Sequence, residues 1–513
     1  MALFKRIEEF WVDGLRSSVA RFSWVIASTF VALVTAWLLI NQDNDKSRDF
    51  SILAKVLAIS LLGIPLFYAI RLFSESQAKY NRFYLPGSLI ATALLVGYYF
   101  TLPGDLEELP IFQGFRYLAI ALGAHALVSF CVYRSLDQIH LFWQFNVQQF
   151  LRFIIGVFYS TILMAGISLA FAAFDFLLGI SVEVENYGRL AIFLFIGFNT
   201  LFFLNGQHTQ LQGQEEIAPY PKGLSIFSRF ILIPLVLLYL FILYAYVLKI
   251  SLAWSLPNGY LTLMVMCYSV LGILAYLFVF PLRNDSGQDW IQKFIKWFFV
   301  LLLPLLVVLF IAIGTRISDY GWTEERYAVA ALGLWLLIMA LYFLISRKDN
   351  IVVIPVSLAI ISLISVVGPW SMFSVSQRSQ KSELSALLEP TKMMDDGKLM
   401  LLKDSTDRVM NDTMYERTYS IIAYLGDHYG WDSFSESMDT VRFNKLNGVS
   451  KLSSVYQVMS YYQWERRGYD TKEDLQVSIQ TSDAFDRPTD IQGFAKMNHF
   501  NAYQAESFVG SDL

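Results

Sequence analysis

Charge is scarce in this chain. Of its 513 residues only 16% are Asp, Glu, Lys or Arg, against roughly 25% in typical soluble proteins, while 55% are hydrophobic. There are two cysteines, Cys131 and Cys267, both inside apolar runs, so the sequence offers no disulfide framework. P-loops, dinucleotide-binding fingerprints and serine-hydrolase elbows are also missing. These absences exclude the enzyme classes that are easiest to recognise from sequence.

Long apolar runs occupy most of the chain instead. Eleven of them, each about 17–25 residues long, follow one another with short polar loops between them. Such lengths cross a bilayer as helices, because only a helix satisfies its own backbone in lipid. Four prolines (65, 234, 304 and 355) fall inside runs and predict kinks there. The predicted spans are 22–40, 52–70, 84–102, 115–133, 152–174, 188–205, 227–250, 261–280, 297–314, 328–346 and 351–369.

The chain divides into three parts. Residues 1–21 have helical apolar spacing and predict an amphipathic helix on the membrane surface. Residues 22–370 form the transmembrane domain. Residues 371–513, with 15 basic and 21 acidic residues, have the composition of a soluble domain. The prediction is a mainly α protein: a polytopic helical membrane protein with about 11 transmembrane helices and a small C-terminal α+β soluble domain.

The soluble part reads as a mixture of helices and strands. Periodicity predicts three helices, the second of them capped by Asp404 or Ser405, and alternation predicts two strands. The helices are 374–388, 406–425 and 453–467, and the strands are 475–480 and 493–503. The net charge of this part, −6, argues against nucleic acid as a partner.

Basic residues in the loops predict the orientation. Sixteen Lys and Arg flank the spans on the side of the N-terminus and seven flank them on the other side. Cytoplasmic loops carry the excess of Lys and Arg. The N-terminus is therefore predicted in the cytoplasm, and an odd number of spans places residues 371–513 outside it, on the extracytoplasmic side. Losing a single span would reverse this second conclusion.

Polar residues inside the spans are the first candidates for transport chemistry. His125 lies in the fourth span and Asn199 in the sixth. Each is interpreted as a hydrogen-bonding group between helices, with a proton relay as the alternative for His125. Lys55 lies one turn inside the second span and is expected to extend to the interface. No span carries the row of acids that a proton- or sodium-coupled carrier needs, so a secondary transporter ranks third.

Two stretches at the predicted outer face hold the main candidate site. The loop 316–327 and the exit 368–380 bring arginines, acids and tryptophans to the same surface. Two readings stay open: membrane-interface architecture, or a site for a phosphate or carboxylate group held by arginine. The residues proposed for an anion or partner site are Arg316, Tyr320, Glu324, Arg326, Trp370, Arg378 and Gln380.

The same stretches resemble a known family. Arg316, Tyr320, Gly321, Thr323, Glu324, Arg326 and Tyr327 match its first motif, and Gly368, Pro369, Trp370, Ser374, Ser376, Arg378, Ser379 and Gln380 match its second. Residues 142–146, Phe-Trp-Gln-Phe-Asn, are similar to a third, weaker stretch. The family is that of bacterial polytopic membrane proteins known as domain of unknown function 4153. The resemblance implies an inner-membrane protein and supplies no catalytic residue.

The sequence leaves the activity open. The first hypothesis is a cell-envelope scaffold, assembly factor or permease whose C-terminal domain docks an envelope protein. The alternative is a membrane-embedded transferase or lipid-handling enzyme of the polyprenyl-phosphate type, acting on an anionic lipid. Asp43-Asn44-Asp45 in the first outer loop is a weak sign of the latter. No cofactor or metal is predicted, since Asp427-His428 has no further ligand at suitable spacing.

Overall fold

The computed structural model describes most of the chain. It covers residues 14–40, 48–103, 111–133, 135, 138–207, 219–253, 260–284, 289–346, 350–402, 408–430, 455–466, 489–491 and 494–497. The predicted strand 475–480, the Asp43–Asp45 loop and residues 1–13 of the predicted surface helix lie outside these residues. Of the predicted strand 493–503, residues 494–497 are described.

Among the described residues, twelve helices form the membrane part. Ten of them are long and apolar enough to cross a bilayer. In chain order they are α1 (Gly14–Arg21), α2 (Ser23–Ile40), α3 (Arg48–Glu75), α4 (Tyr84–Thr101), α5 (Ile111–Phe130), α6 (Ile139–Leu178), α7 (Val184–Asn205), α8 (Lys222–Ala253), α9 (Tyr260–Val279), α10 (Asp289–Tyr320), α11 (Glu324–Ile345) and α12 (Val353–Ile364). The chain is therefore a polytopic helical protein, as predicted.

The eleventh predicted span is corrected by the structure. Its helix, α12, has only 12 residues, about 18 Å at 1.5 Å per residue. The remainder, residues 365–371, is an irregular turn. The turn nevertheless lies beside the first residues of α11, because the hydroxyl of Tyr327 donates to the carbonyl oxygen of Trp370 at 2.9 Å. The eleventh predicted span is thus a short helix followed by a turn.

The fifth predicted span is also longer than expected. Helix α6 has 40 residues and begins at Ile139, so the Phe-Trp-Gln-Phe-Asn stretch lies inside it. Gly179, with φ of 63°, ends this helix; its N–H donates to Asp175, and that of Ile180 donates to Phe174. The predicted span began later because polar side chains interrupt the apolar run before residue 152: His140, Gln144, Asn146, Gln148 and Gln149.

Two apolar cores lie in the membrane part, and α6 connects them. One is formed mainly by α2–α5 and α7, and the other by α6 and α8–α12. The indole N–H of Trp143 on α6 donates to the carbonyl oxygen of Leu277 at 2.6 Å, and the hydroxyl of Tyr68 on α3 donates to Gln149 at 2.9 Å. Trp143 satisfies a carbonyl at the end of α9, where the helix has no donor of its own. The third motif is therefore a packing element.

The C-terminal part packs directly on the membrane helices. Its helices are α13 (Met372–Leu388), α14 (Asp412–Tyr429) and α15 (Val455–Tyr461). The described strands form three two-stranded sheets: β1 (Met394–Asp395) with β2 (Lys398–Leu399), β3 (Val409–Met410) with β4 (Glu465–Arg466), and β5 (Thr489–Ile491) with β6 (Phe494–Met497). The pairs are antiparallel, parallel and antiparallel respectively.

The predicted start of the second soluble helix is wrong. The helix begins six residues later than predicted, and Asn411, in place of Asp404 or Ser405, is its N-cap. The Asn411 side chain accepts a hydrogen bond from the Met414 N–H at 2.8 Å. Residues 409–410 preceding the cap pair as β3 with β4, which prevents an earlier helix start.

Candidate functional site

The loop between α10 and α11 is folded onto itself by Arg326. Gly321 ends α10 with φ of 72°, and Thr323 caps α11 by accepting from the Arg326 N–H at 3.4 Å. The guanidinium of Arg326 turns back and donates to the carbonyl oxygens of Tyr320 at 3.0 Å and Gly321 at 2.6 Å. These carbonyls belong to a helix end that has no intrahelical donors left. Arg326 therefore stabilises the turn.

Helix α13 packs against the same turn and is hydrogen-bonded to it. The Gln380 side-chain amide donates to Tyr320 at 2.8 Å and to Trp322 at 3.0 Å, and the Trp322 N–H donates to the Ser379 hydroxyl at 2.9 Å. A methyl group on Gly321 would lie 2.9 Å from both the Gln380 amide nitrogen and the Ser379 hydroxyl. Glycine is required here both for the positive φ and for this close approach.

Arg378 faces away from the α10–α11 turn. It is two positions from Gln380, about 200° around the helix axis at 3.6 residues per turn. Its guanidinium donates to Ser374 at 3.0 Å and to Pro369 at 2.5 Å, which holds the exit turn against the first turns of α13. Trp370 in that turn is 57% exposed. The structure thus separates Arg378 and Trp370 from the face that carries Arg326 and Gln380.

Glu324 is completely buried, although it is the first residue of α11. Its carboxylate accepts hydrogen bonds from the hydroxyls of Tyr424 and Tyr429 on α14, one on each oxygen. The Nδ1 atom of His428 lies 3.2 Å from the Oε2 atom of Glu324, without hydrogen-bond alignment. A carboxylate at a helix N-terminus is also favoured by the helix dipole. Glu324 therefore joins the membrane helices to the C-terminal part.

The two tyrosines remain hydrogen-bond donors under ordinary conditions. Burial raises the pKa of Tyr424 and of Tyr429 far above the usual value, and the charge of Glu324 raises both further. Neither hydroxyl is therefore a proton source near neutral pH. The arrangement has the chemistry of a structural contact, since a general acid needs a pKa close to the working pH.

The first turns of α5 complete the contact. The ring of Phe112 stacks on Tyr429 with 5.6 Å between centroids and lies 5.3 Å from Phe373. The guanidinium of Arg116 lies 4.9 Å from the centroid of Phe112 and 5.1 Å from that of Phe373. Three membrane-helix ends, those of α5, α10 and α11, therefore meet the same surface of α13 and α14.

A polar groove of about 950 Å³ opens between this surface and the α10–α11 turn. Arg417 crosses it, donating to the Asp319 carbonyl at 2.8 Å and pairing with Glu383 at 3.2 Å. The two arginines of the lining are thus already hydrogen-bonded within the protein. The lining residues are Ser318, Asp319, Tyr320, Thr323, Arg326, Gln380, Glu383, Thr413, Glu416, Arg417, Ser420, Ile421 and Tyr424.

Arg316 stands apart from these pairs. It is half-buried on α10, near enough to Arg326 for the two charges to repel each other. It makes no hydrogen bond or ion pair within the part of the chain that the structure describes, and it does not line the groove. Of the seven residues predicted for the outer site, Tyr320, Arg326 and Gln380 line the groove.

The predicted intramembrane residues have local contacts. The Nδ1 atom of His125 lies 2.8 Å from the Ala121 carbonyl oxygen one turn earlier on α5. Asn199 is buried on α7, and its side-chain oxygen faces Gly156 of α6, where a larger residue would overlap it. The Lys55 amine donates to the carbonyl oxygen of Leu102 at 3.1 Å, at the end of α4. A transport role for His125 or Asn199 stays a prediction.

The partners of Glu324 were not predicted from the sequence. Tyr424 and His428 are four residues apart, hence on one helix face, and this spacing is the one sequence signal that could have suggested a shared target. Arg417 and Glu383 belong to no motif recognised in the sequence. Among the described residues no group of three or more His, Cys, Asp or Glu is placed to hold a metal ion; His428 faces Glu324, and Asp427 is exposed.

Comparison with known proteins identifies the family of the chain. It is 25% identical over 373 residues to an uncharacterized protein of Pasteurella multocida (strain Pm70), which covers 72% of this chain. The chain spans 60% of the length of that relative. No solved structure matches it. A family model described as a domain of unknown function matches residues 19–392, which include both motif stretches and all of α13. The chain therefore belongs to the DUF4153 family of integral membrane proteins, as its motifs had indicated.

Proposed function

We propose that this protein is a cell-envelope scaffold of the bacterial inner membrane. In this proposal the helical bundle holds the C-terminal part rigidly at the periplasmic surface, where it docks an envelope partner. The observation that carries the proposal is the burial of Glu324 beneath Tyr424 and Tyr429. A loose tether would leave such a carboxylate in water, because burying a charge is costly unless it is fully paired.

The motif residues support the same conclusion. The side chains of Arg326, Gln380 and Arg378 all donate to backbone carbonyls of neighbouring turns. Side chains that satisfy backbone groups fix a geometry, and they are then less available to a substrate. The most distinctive residues of the chain are therefore assigned to positioning the C-terminal part on the membrane helices.

The orientation follows from the charges of the loops, with the N-terminus in the cytoplasm. It is tested by single cysteines introduced into a variant with Cys131 and Cys267 replaced by serine. Asp395→Cys in the β1–β2 hairpin and Lys222→Cys at the start of α8 are both exposed. A membrane-impermeant maleimide added to intact spheroplasts is expected to label the first and spare the second. The reverse labelling pattern would place the C-terminal part in the cytoplasm.

The scaffold role is tested at Glu324. We expect Glu324→Ala to insert normally while its C-terminal part becomes sensitive to protease, and we expect Arg378→Ala to show a smaller effect of the same kind. Full protease resistance together with complete loss of function in cells would support a chemical role instead.

The groove supports a second candidate function, a lipid-handling enzyme or transferase. Its volume of about 950 Å³ lies within the ~300–1,000 Å³ range of ligand sites. Arg417 and Arg326 could exchange their present partners for a phosphate group. The test is the retention of polyprenyl phosphate or another anionic lipid by the purified protein. Loss of that lipid in Arg417→Ala, with the fold intact, would favour this candidate over the scaffold.

A further inference from the structure

A second cavity lies within the membrane part, far along the chain from the groove. It has a volume of about 290 Å³ and lies between α8, α9 and the first half of α10. Apolar side chains, among them Leu237, Leu240 and Phe298, form most of its wall. Its size is at the lower limit of ligand cavities, which suits a chain of methylene groups better than a folded polar molecule.

One buried polar group interrupts this apolar wall. Tyr268 on α9 lines the cavity and is 1% exposed, with its ring 5.6 Å from that of Phe298. Its hydroxyl has no hydrogen-bond partner among the residues that the structure describes. Because an unpaired buried hydroxyl carries a desolvation cost, most such groups have an acceptor. Because Tyr268 lines the cavity, an acceptor from outside the chain would have to approach its hydroxyl from there.

The mouth of the cavity opens sideways toward lipid. Leu237 and Trp297 line it and are 50% and 57% exposed. Lys293 and Trp290, one and two turns before Trp297, line the end near the start of α10. Tryptophan and lysine are typical of the headgroup level of a bilayer. The cavity therefore extends from the headgroup level into the apolar interior.

The spacing of the polar groups fits one class of ligand. Lys293 and Phe298 are five residues apart, about 7.5 Å along the axis of α10, and the ring of Tyr268 lies beside that of Phe298, with 5.6 Å between centroids. A phospholipid carries its phosphate above its acyl ester carbonyls in the same way. A cation at the upper position and a hydroxyl donor below it match this order, and an anionic headgroup matches the charge of Lys293.

We propose that this cavity binds one acyl chain of an anionic phospholipid from the leaflet where α10 begins. Lys293 contacts the headgroup phosphate, and the Tyr268 hydroxyl donates to the ester carbonyl oxygen of the bound chain. Leu237, Leu240 and Phe298 surround the first methylene groups. The bound lipid completes the surface between α8 and α10.

The test is titration of the delipidated full-length protein with phosphatidylglycerol, followed by native mass spectrometry. Tyr268→Phe keeps the ring and removes only the hydroxyl. Loss of one hydrogen bond is expected to weaken binding about threefold to tenfold. A diether phosphatidylglycerol, which lacks the ester carbonyl, is expected to bind the wild type and Tyr268→Phe equally. Equal affinity of the wild type and Tyr268→Phe for the diester lipid would overturn the proposal.

Matched variants separate this site from general lipid contact. Leu237→Trp fills the mouth of the cavity, whereas Leu238→Trp changes a neighbour that is 56% exposed and does not line it. Only the first is expected to lose lipid. Lys293→Gln is likewise expected to reduce the preference for phosphatidylglycerol over phosphatidylcholine, and Lys296→Gln, outside the cavity, to leave it unchanged. Equal effects within either pair would assign the binding to the general lipid surface.

Discussion

Removing the donors of Glu324 should release α14 from the membrane helices. In Tyr429→Phe the buried carboxylate loses one of its two hydroxyl donors. Hydrogen bonds to charged groups contribute about 1.5–3 kcal/mol each. Glu324→Ala removes the carboxylate and leaves the Tyr424 hydroxyl without its acceptor, while the Tyr429 hydroxyl keeps the carbonyl oxygen of Phe373 at 3.0 Å. An unpaired buried donor is expected to cost about 1–3 kcal/mol.

Hydrogen exchange of the α14 amides measures this opening directly. A change of 1.4 kcal/mol alters an equilibrium tenfold, so Tyr429→Phe is expected to speed exchange in 412–429 by about tenfold to hundredfold. Tyr415→Phe is the matched control, because Tyr415 lies on the same helix and does not contact Glu324. Exchange in α10 and α11 away from the contact is expected to remain unchanged.

A double-mutant cycle isolates the contact itself. Glu324→Gln and Tyr429→Phe should be non-additive by about 0.5–3 kcal/mol, since the two groups touch. Additive effects, or protection of 412–429 that survives Glu324→Ala, would refute the conclusion that this carboxylate fixes the C-terminal part.

The remaining predictions concern packing and pH. In Gly272→Ala the new methyl group would overlap the ring of Phe298, and the free energy of unfolding in detergent is expected to fall by about 1–3 kcal/mol. Gly314→Ala, which has open space around it, should not destabilise the protein. Trp143→Phe leaves a carbonyl oxygen of α9 unpaired and should lower thermal stability by about 1–3 kcal/mol. Because the α14 tyrosines have raised pKa values, their contribution to stability should be complete below pH of about 10 and decline above it, as measured by denaturation at graded pH.

The sequence predicted the membrane helices well because the cost of unpaired backbone in lipid leaves few alternatives. It failed where that constraint weakens. The start of α6 was missed because polar residues interrupt the apolar run before 152. The end of α12 was missed because residues 365–369 are apolar enough to continue a helix, and only the Gly368-Pro369 pair marks the turn.

The sequence predicted where the candidate site lies, but only part of how its side chains are arranged. The two motif stretches do lie together, with Gln380 bonded to Tyr320 and Trp322. Arg378 and Gln380 are two residues apart on α13 and so point in nearly opposite directions. Which of them faces the α10–α11 turn depends on the rotation of α13, which composition does not reveal. The burial of Glu324 depends on tyrosines about 100 residues later, and no local pattern encodes a contact of that separation.

The shortness of α12 has a consequence for the surrounding bilayer. Helix α12 covers about 12 Å less than the ~30 Å hydrocarbon core. Ile360 and Leu363 in its last two turns, and Val367 in the turn that follows, are 53%, 47% and 63% exposed, so lipid tails would meet this shorter apolar surface. Hydrophobic mismatch of this kind thins the adjoining leaflet. We therefore expect the headgroups beside α12 to lie deeper than elsewhere around the bundle, which would bring water closer to the level at which Tyr327 holds Trp370.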